Sequence, residues 1–325
     1  MLTSPHTPID TSHLTHPQLI IVIDTEEEFD WNKPFDRKNV RVKNIAHQEK
    51  AQKLFAKYGI KPTYVIDYPV ASQADGIKPL KELYDEQLCD IGAHLHPWVT
   101  PPFNETVNNK NSFPGNLSYD QEYQKLKNLT QTIEDNFGFS PTIYKAGRYG
   151  VGNNTSKILK DLGYQIDCSV VPNTDFSSSN GPDFSLQKNC QPYWFAENKI
   201  LEIPLTVDYV GLLSGAGNRL YNTLQQDKFI KLKVPGIFSR LGLFERIRLS
   251  PEGHTLDELK RLTLSMLQKN HKIFCLTYHS STLMPGGSPY VNNEKELAAF
   301  LDTIDQYLDF FENTIKGKFS TLKEM

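Results

Sequence analysis

The sequence predicts an α/β chain folded as a single (β/α)-barrel-type domain of about seven parallel strands, and three observations predict it. From residue 19 onward, short β-rich runs alternate with helical patterns; each run finishes at polar or charged residues; and 325 residues without a linker-like break in composition suit one barrel domain.

Residues 19–23 form the first strand, with Asp24 at its end. Ala51, Leu54, Phe55 and Tyr58 keep the i, i+3, i+4, i+7 spacing of a helix face, stopped by Gly59. Residues 63–66 are the second strand, Leu80, Leu83 and Tyr84 mark a helix, and 90–94 are the third strand. Ser118 and Gln121 make a capping box before a helix whose face is Tyr123, Leu126, Leu129, Ile133 and Phe137, closed by Gly138. Strands at 142–146 and 164–168 flank a short helix around Ile158, Leu159 and Leu162. Residues 169–198 lose all periodicity, and a polar loop of that length in a compact domain more often shapes a site than idles. Residues 200–207 are strand-like, and 208–253 read as an irregular insertion. Thr255 and Glu258 form a second capping box, ahead of a helix facing inward through Leu256, Leu259, Leu262 and Met266. Residues 273–277 give the last strand, with His279 just past its end, and 293–311 a closing amphipathic helix. Residues 1–17, polar and rich in Pro, Thr and His, read as a disordered leader to a domain at 18–325.

With 38% hydrophobic residues, 18 Phe and 15 Tyr, the chain can bury a large core. A formal net charge of -3 and the absence of any Lys/Arg run indicate neither nucleic acid nor an anionic membrane surface as partner. The longest apolar run is too short to cross a bilayer, and no signal-peptide pattern opens the chain. Four widely spaced cysteines without a CxxC fit a reducing compartment, so a cytoplasmic protein is expected.

His94-Leu95-His96 sets two imidazoles two residues apart at a strand end. In extended backbone such residues point to one side, so both rings can face one metal ion, and imidazole serves zinc, copper, iron and nickel alike. Asp24, Glu26, Asp167 and His279 also fall at strand ends. In parallel βα architectures those ends share one face, where ligands bind.

In the order and content of these segments, over roughly residues 19–311, the chain resembles the polysaccharide deacetylase family, also called NodB-homology or carbohydrate esterase 4. Asp24-Thr25-Glu26 is similar to the first family motif, Gly92 to His96 stands where the metal histidines stand, Tyr144 to Tyr149 is similar to the third motif, Asp167 falls in the fourth, and Leu276-Thr277-Tyr278-His279 matches the Leu-x-x-His of the fifth. The strings 24–31, 94–98 and 279–290 most resemble a bacterial branch named after WalW and associated with lipopolysaccharide biosynthesis. Two departures stand out. The family histidines lie four apart, and Trp98 occupies the second place, leaving His96 to supply that ring. The third-motif arginine corresponds to Arg148, or to Lys145 with one residue inserted; Arg148 is preferred because a planar guanidinium orients a carboxylate better than an ammonium.

The resemblance implies a distorted or incomplete (β/α)-barrel of the NodB type holding a divalent metal, zinc by preference, on Glu26, His94 and His96. It implies Asp24 as catalytic base held by Arg148, a backbone N–H near Tyr149 beside the oxyanion, His279 as acid, and Asp167 orienting His279. Leu276 would line the acetyl pocket, and Trp31, Trp98 and Trp194 are candidate platforms for a sugar ring. The implied activity is hydrolysis of the N-acetyl group of an amino sugar, met inside the cell as a small-molecule or lipid-linked precursor of surface polysaccharide or lipopolysaccharide. The alternatives are a metal-dependent hydrolase of another C–N amide bond on the same barrel, and a catalytically silent glycan-binding member.

Overall fold

A computed structural model describes residues 6–188 and 190–325. Its strands are β1 (Thr7–Pro8), β2 (Gln18–Thr25), β3 (Thr63–Ile66), β4 (Asp90–Leu95), β5 (Ile143–Ala146), β6 (Ile166–Asp167), β7 (Tyr193–Phe195), β8 (Ile200–Glu202), β9 (Val207–Val210), β10 (Glu245–Arg248), β11 (Ile273–His279) and β12 (Lys318–Phe319). Seven of them, in the order β8-β6-β5-β4-β3-β2-β11, run parallel in one curled sheet, which is the incomplete barrel expected. β2 is apolar from Leu19 to Ile23 without alternation, as a strand covered on both faces must be.

The barrel does not close through strand pairing. Between β8 and β11, irregular chain bridges the gap: the Cys275 N–H donates to Thr206 Oγ1 (2.8 Å), and the Thr277 N–H to the Leu249 carbonyl (3.1 Å). Antiparallel β7 and β1 extend the β8 edge instead. Residues 6–17, expected as a disordered leader, therefore start with a two-residue strand on β7; residues 1–5 of that leader lie outside the described residues.

Among the described residues ten α-helices accompany the strands: α1 (Gln48–Lys57), α2 (Tyr68–Ser72), α3 (Ala74–Asp85), α4 (Tyr119–Phe137), α5 (Thr155–Asp161), α6 (Gly217–Leu224), α7 (Asp227–Lys231), α8 (Val234–Arg240), α9 (Leu256–Gln268) and α10 (Glu294–Asp309). Both expected capping boxes form, at Ser118 before α4 and Thr255 before α9. The expected strand 200–207 is broken into β8 and the start of β9, because Pro204 lacks the N–H that a ladder needs. The insertion is an antiparallel β9–β10 ribbon carrying α6, α7 and α8 between its strands, with a small core of its own around Tyr209, Leu224 and Phe244. No helix among the described residues is long and apolar enough to cross a membrane. All four cysteines are buried thiols.

Candidate functional site

Strand register brings the site together. Asp24 on β2 lies beside His279 on β11, and His94 on β4 beside Lys145 on β5. The two-residue period of extended chain then carries Asp24, His94, Lys145, Thr277 and His279 to the inner face at the carboxyl ends of their strands.

Glu26, His94 and His96 each offer one ligand atom, all within 4.8 Å of one another. His94 Nδ1 donates to the Lys145 carbonyl (3.0 Å), which leaves the Nε2 lone pair 3.9 Å from Glu26 Oε2. His96 Nδ1 bonds Glu27 Oε2 (2.7 Å), leaving its Nε2 3.4 Å from the same oxygen. Burial pushes the His94 imidazole well below its ordinary range and the His96 imidazole down to about 4, so both stay neutral and able to coordinate. Glu26 is pushed the other way, by burial and then by the negative neighbours Glu27, Asp24, Asp67 and Glu252, and its Oε1 is buried without a hydrogen-bond partner. Two neutral imidazoles, a crowded carboxyl and an orphaned oxygen together lack a cation. These residues fit a divalent metal with an open coordination position.

A second cluster, Glu27, Asp67 and His96, is also close enough to hold an ion. Its lone pairs are already spent: Glu27 Oε1 accepts from Trp98 Nε1 (2.7 Å), Asp67 Oδ2 from the Glu27 N–H (2.7 Å), and Asp67 Oδ1 from the Val70 N–H at the start of α2 (2.9 Å). This cluster orients the His96 ring from behind, as carboxylates do behind metal-binding imidazoles. Gly147 makes room in front. A Cβ there would collide with the Leu95 carbonyl and sit 2.6 Å from His96 Cδ2, so only glycine lets the ring lie where it does.

Beside the triad, Lys145 Nζ donates to Asp24 Oδ1 and sits 3.2 Å from Thr277 Oγ1, while Asp24 Oδ2 faces His279 Nε2 at 3.6 Å. Burial alone would raise the Asp24 carboxyl; its neighbours, the Lys145 ammonium foremost, outweigh it and hold the group down to about 2. His279 Nδ1 bonds Glu252 Oε2 (2.8 Å), and Glu252 Oε1 accepts from the His279 N–H (2.9 Å) and the Thr282 hydroxyl (2.6 Å). Here too burial would raise the carboxyl, but the imidazole and Arg248 bring it below its ordinary value.

These groups open into a cavity of about 320 Å³, at the small end of ligand pockets, whose other lining includes Trp31, Phe35, Arg148, Tyr149, Arg248 and Tyr290. Trp31 sets its edge on His279 (4.8 Å between ring centres) with an indole N–H that finds no partner. The Tyr149 hydroxyl accepts from Arg248 Nη1 (3.0 Å).

Five of the six expected strand-end groups meet here: Asp24, Glu26, His94, His96 and His279. Five expected roles need correction. Arg148 does not touch Asp24; Arg148 and Tyr149 both adopt left-handed φ values (54° and 59°), which turns the chain off the strand direction, and the guanidinium bonds Asn109 and Ser112 and stacks on Phe113. Lys145, still within β5, takes its place. Asp167 does not reach His279, since it faces Glu202 on β8 and Ser169; Glu252 holds that imidazole instead. Leu276 has the opposite parity to Thr277 and His279, so it packs in the core outside the cavity. Trp98 reaches the cavity only by its edge: 2% exposed, it stacks on His96 (4.3 Å) and holds Glu27, which makes it a brace more than a sugar platform. Trp194 lies on β7, away from the cavity.

Glu27, Asp67 and Glu252 were missed in the sequence. Asp67 carried a usable signal, an acid directly after the second strand; Glu252 lies inside the insertion, where no periodicity points to it.

No family model matches the chain, and no curated protein matches it. Among solved structures, similarity extends to a putative polysaccharide deacetylase from Mycobacterium smegmatis (14% identity, TM-score 0.49, 94% of this chain and 88% of that one). A carbohydrate esterase 4 pseudoenzyme from Bacillus anthracis is similar at 10% identity, TM-score 0.44, over 96% of this chain and 66% of that one. A 4-alpha-glucanotransferase from Thermococcus litoralis reaches TM-score 0.51 at 12% identity, over 95% of this chain and 40% of that one. At such identity this last likeness is one of fold.

Proposed function

We propose that the chain is a metal-dependent carbohydrate deacetylase, removing an N-acetyl or related acyl group from an amino sugar, and that it belongs with the polysaccharide deacetylases it resembles. One observation carries the reading: a two-histidine, one-carboxylate triad with uncommitted lone pairs shares a cavity with a lysine-held carboxylate and a carboxylate-held histidine. That is the equipment for hydrolysing an amide. Glu26, His94 and His96 would hold the metal, zinc by preference, which when bound acidifies water and polarises a carbonyl.

The remaining work falls to the protein. Asp24, kept ionised by Lys145, takes the proton of the attacking water. His279 delivers a proton from Nε2 to the departing nitrogen, and Glu252 on Nδ1 fixes the tautomer and stabilises the charged ring. Arg148 and Arg248 line the same cavity, and guanidinium groups are suited to phosphate oxygens. A substrate carried on a phosphate, as a nucleotide-activated or lipid-linked amino sugar, suits that lining, and a role in surface polysaccharide or lipopolysaccharide synthesis follows from it.

The test is acetate release from a panel of N-acetylated amino sugars, free, nucleotide-linked and lipid-linked, by metal-stripped protein before and after zinc addition. The reading expects zinc-dependent release that His279→Ala reduces by roughly 10²- to 10⁴-fold. No release from any amino sugar with zinc bound would overturn it.

A further inference from the structure

The insertion between β9 and β10 leaves a large part of its apolar surface open. Tyr209, Leu224 and Phe244 form its small core, joined by Leu220, Tyr221, Val234 and Phe238. Leu212, Leu213, Ile230, Leu232, Ile237 and Leu241 stay outside that core, and they are half of the twelve large exposed apolar side chains among the described residues. Leu212 is 84% exposed and Leu232 69%. On α8 the division is periodic: Val234 and Phe238 turn inward, while Ile237 and the following Leu241, four residues apart, turn outward. Isolated exposed leucines mean little, but six within 34 residues concentrate apolar surface on this insertion, and the N–H groups of Leu212 and Leu213 donate to the carbonyls of Gly242 and Leu243, which brings that pair beside Leu241.

The same 34 residues, 211–244, carry Arg219, Lys228, Lys231, Lys233 and Arg240 against the single acid Asp227, in a chain whose net charge is -3. All five cations are exposed, and none forms an ion pair among the described residues. Their spacing is irregular, so the sequence shows no basic run, yet all five sit on or beside the three short helices of one insertion. Aliphatic side chains interleaved with unpaired cations match the acyl-to-headgroup boundary of an anionic bilayer, whereas a nucleic acid would call for aromatic or hydrogen-bonding side chains in their place.

We propose that residues 211–244 dock the protein on anionic lipid, inserting Leu212, Leu213, Ile230, Leu232, Ile237 and Leu241 below the headgroups while the five cations meet lipid phosphates. The patch is joined to the cavity wall. Asn218 Nδ2 donates to the Ser185 carbonyl, and Arg246 on β10 donates to Thr174 Oγ1, in the loop that supplies Phe176 and Ser179 to the cavity; two residues beyond Arg246, Arg248 lines it directly. Docking therefore tethers the domain that bears the cavity to the membrane, where a lipid-carried amino sugar would be met; that consequence for the substrate, unlike the docking itself, rests on the function proposed above.

The experiment is co-sedimentation of the full chain with phosphatidylcholine vesicles, with and without 30% phosphatidylglycerol, which reads binding without any activity. Binding to the anionic vesicles alone, weakened by salt, is expected. The variant Lys228→Glu/Lys231→Glu/Lys233→Glu should lower the partition on the order of 100-fold or more at low salt, given the usual gain per basic residue near such a surface. The variant Leu212→Ser/Leu232→Ser/Leu241→Ser should lose binding while its thermal melting is unchanged, since all three side chains are already in water. No binding, equal binding to neutral vesicles, or binding unchanged in both variants overturns the proposal. So does sedimentation equilibrium showing that the apolar patch instead closes a dimer that the leucine variant separates. Soluble amino-sugar hydrolysis by these variants stays at wild-type level if docking and chemistry are separate, so failure of one reading leaves the other standing.

Discussion

Two groups of buried acids sit at strand ends of the same barrel, and they differ in what their lone pairs face. Asp167 on β6 and Glu202 on β8 are adjacent, fully buried carboxyls; Ser169 and Val170 each donate to one oxygen of the pair, the other two oxygens, Asp167 Oδ2 and Glu202 Oε2, have no donor beyond the facing carboxyl, and neither residue lines the cavity. Glu26 is equally buried, but its partners are two neutral imidazoles whose Nε2 atoms are free, and it opens onto the cavity. Burial pushes the carboxyls of both groups upward. A perturbed carboxyl therefore does not identify a site by itself; uncommitted ligand atoms converging on accessible space do.

The largest effect that can break this comparison is a pair of substitutions. His94→Ala should abolish metal binding and lower turnover by about 10³-fold or more, the cost of losing several kcal/mol of charge stabilisation. Asp167→Asn, at a residue just as buried, should leave turnover within about threefold, because Asp167 does not touch the cavity. Comparable losses from the two would erase the distinction.

Next in size, Glu252→Gln should slow turnover by roughly 10²-fold or more with little change in metal affinity, since the side chains it bonds are His279 and Thr282 and neither is a metal ligand. Gly147→Ala should do the reverse: by displacing the His96 ring it should weaken metal affinity about 10- to 100-fold, an effect that saturating metal partly restores. Metal titration and kinetics on both variants separate the two halves of the site.

The smallest effect is on stability. Asp167, pushed up to about 7 by burial, and Glu202, pushed the same way, hold a proton in the folded state that both would release when unfolded near neutral pH. The Asp167 contribution is fully present below the ordinary carboxyl range and drains as pH rises through about 7, and the Glu202 contribution has the same sign. Melting temperature should fall by a few degrees between pH 5.5 and 8, and Asp167→Asn should flatten that fall. An unchanged slope in the variant would mean that the pair is not protonated.

The same contrast shows what the sequence could reveal. Strand runs, capping boxes and strand-end acids and imidazoles depend on local periodicity, so the parallel barrel and the meeting of Asp24, Glu26, His94, His96 and His279 were legible. Second partners depend on register and on backbone detail. Asp167 looked equivalent to its neighbours until its pairing with Glu202 was visible; Arg148 looked better suited than Lys145 until two left-handed residues turned it away; Leu276 was placed on the wrong face by one step of strand parity. Glu252 could not be found at all, because the insertion that delivers it to His279 has no period to follow.

The central claim is that Glu26, His94 and His96 form a metal centre, and isothermal titration of zinc into metal-stripped protein measures it most directly. One zinc per chain in the wild type and in Asp167→Asn, with none in His94→Ala, is the predicted result. No zinc bound by the wild type, or one bound equally well after His94→Ala, would contradict it.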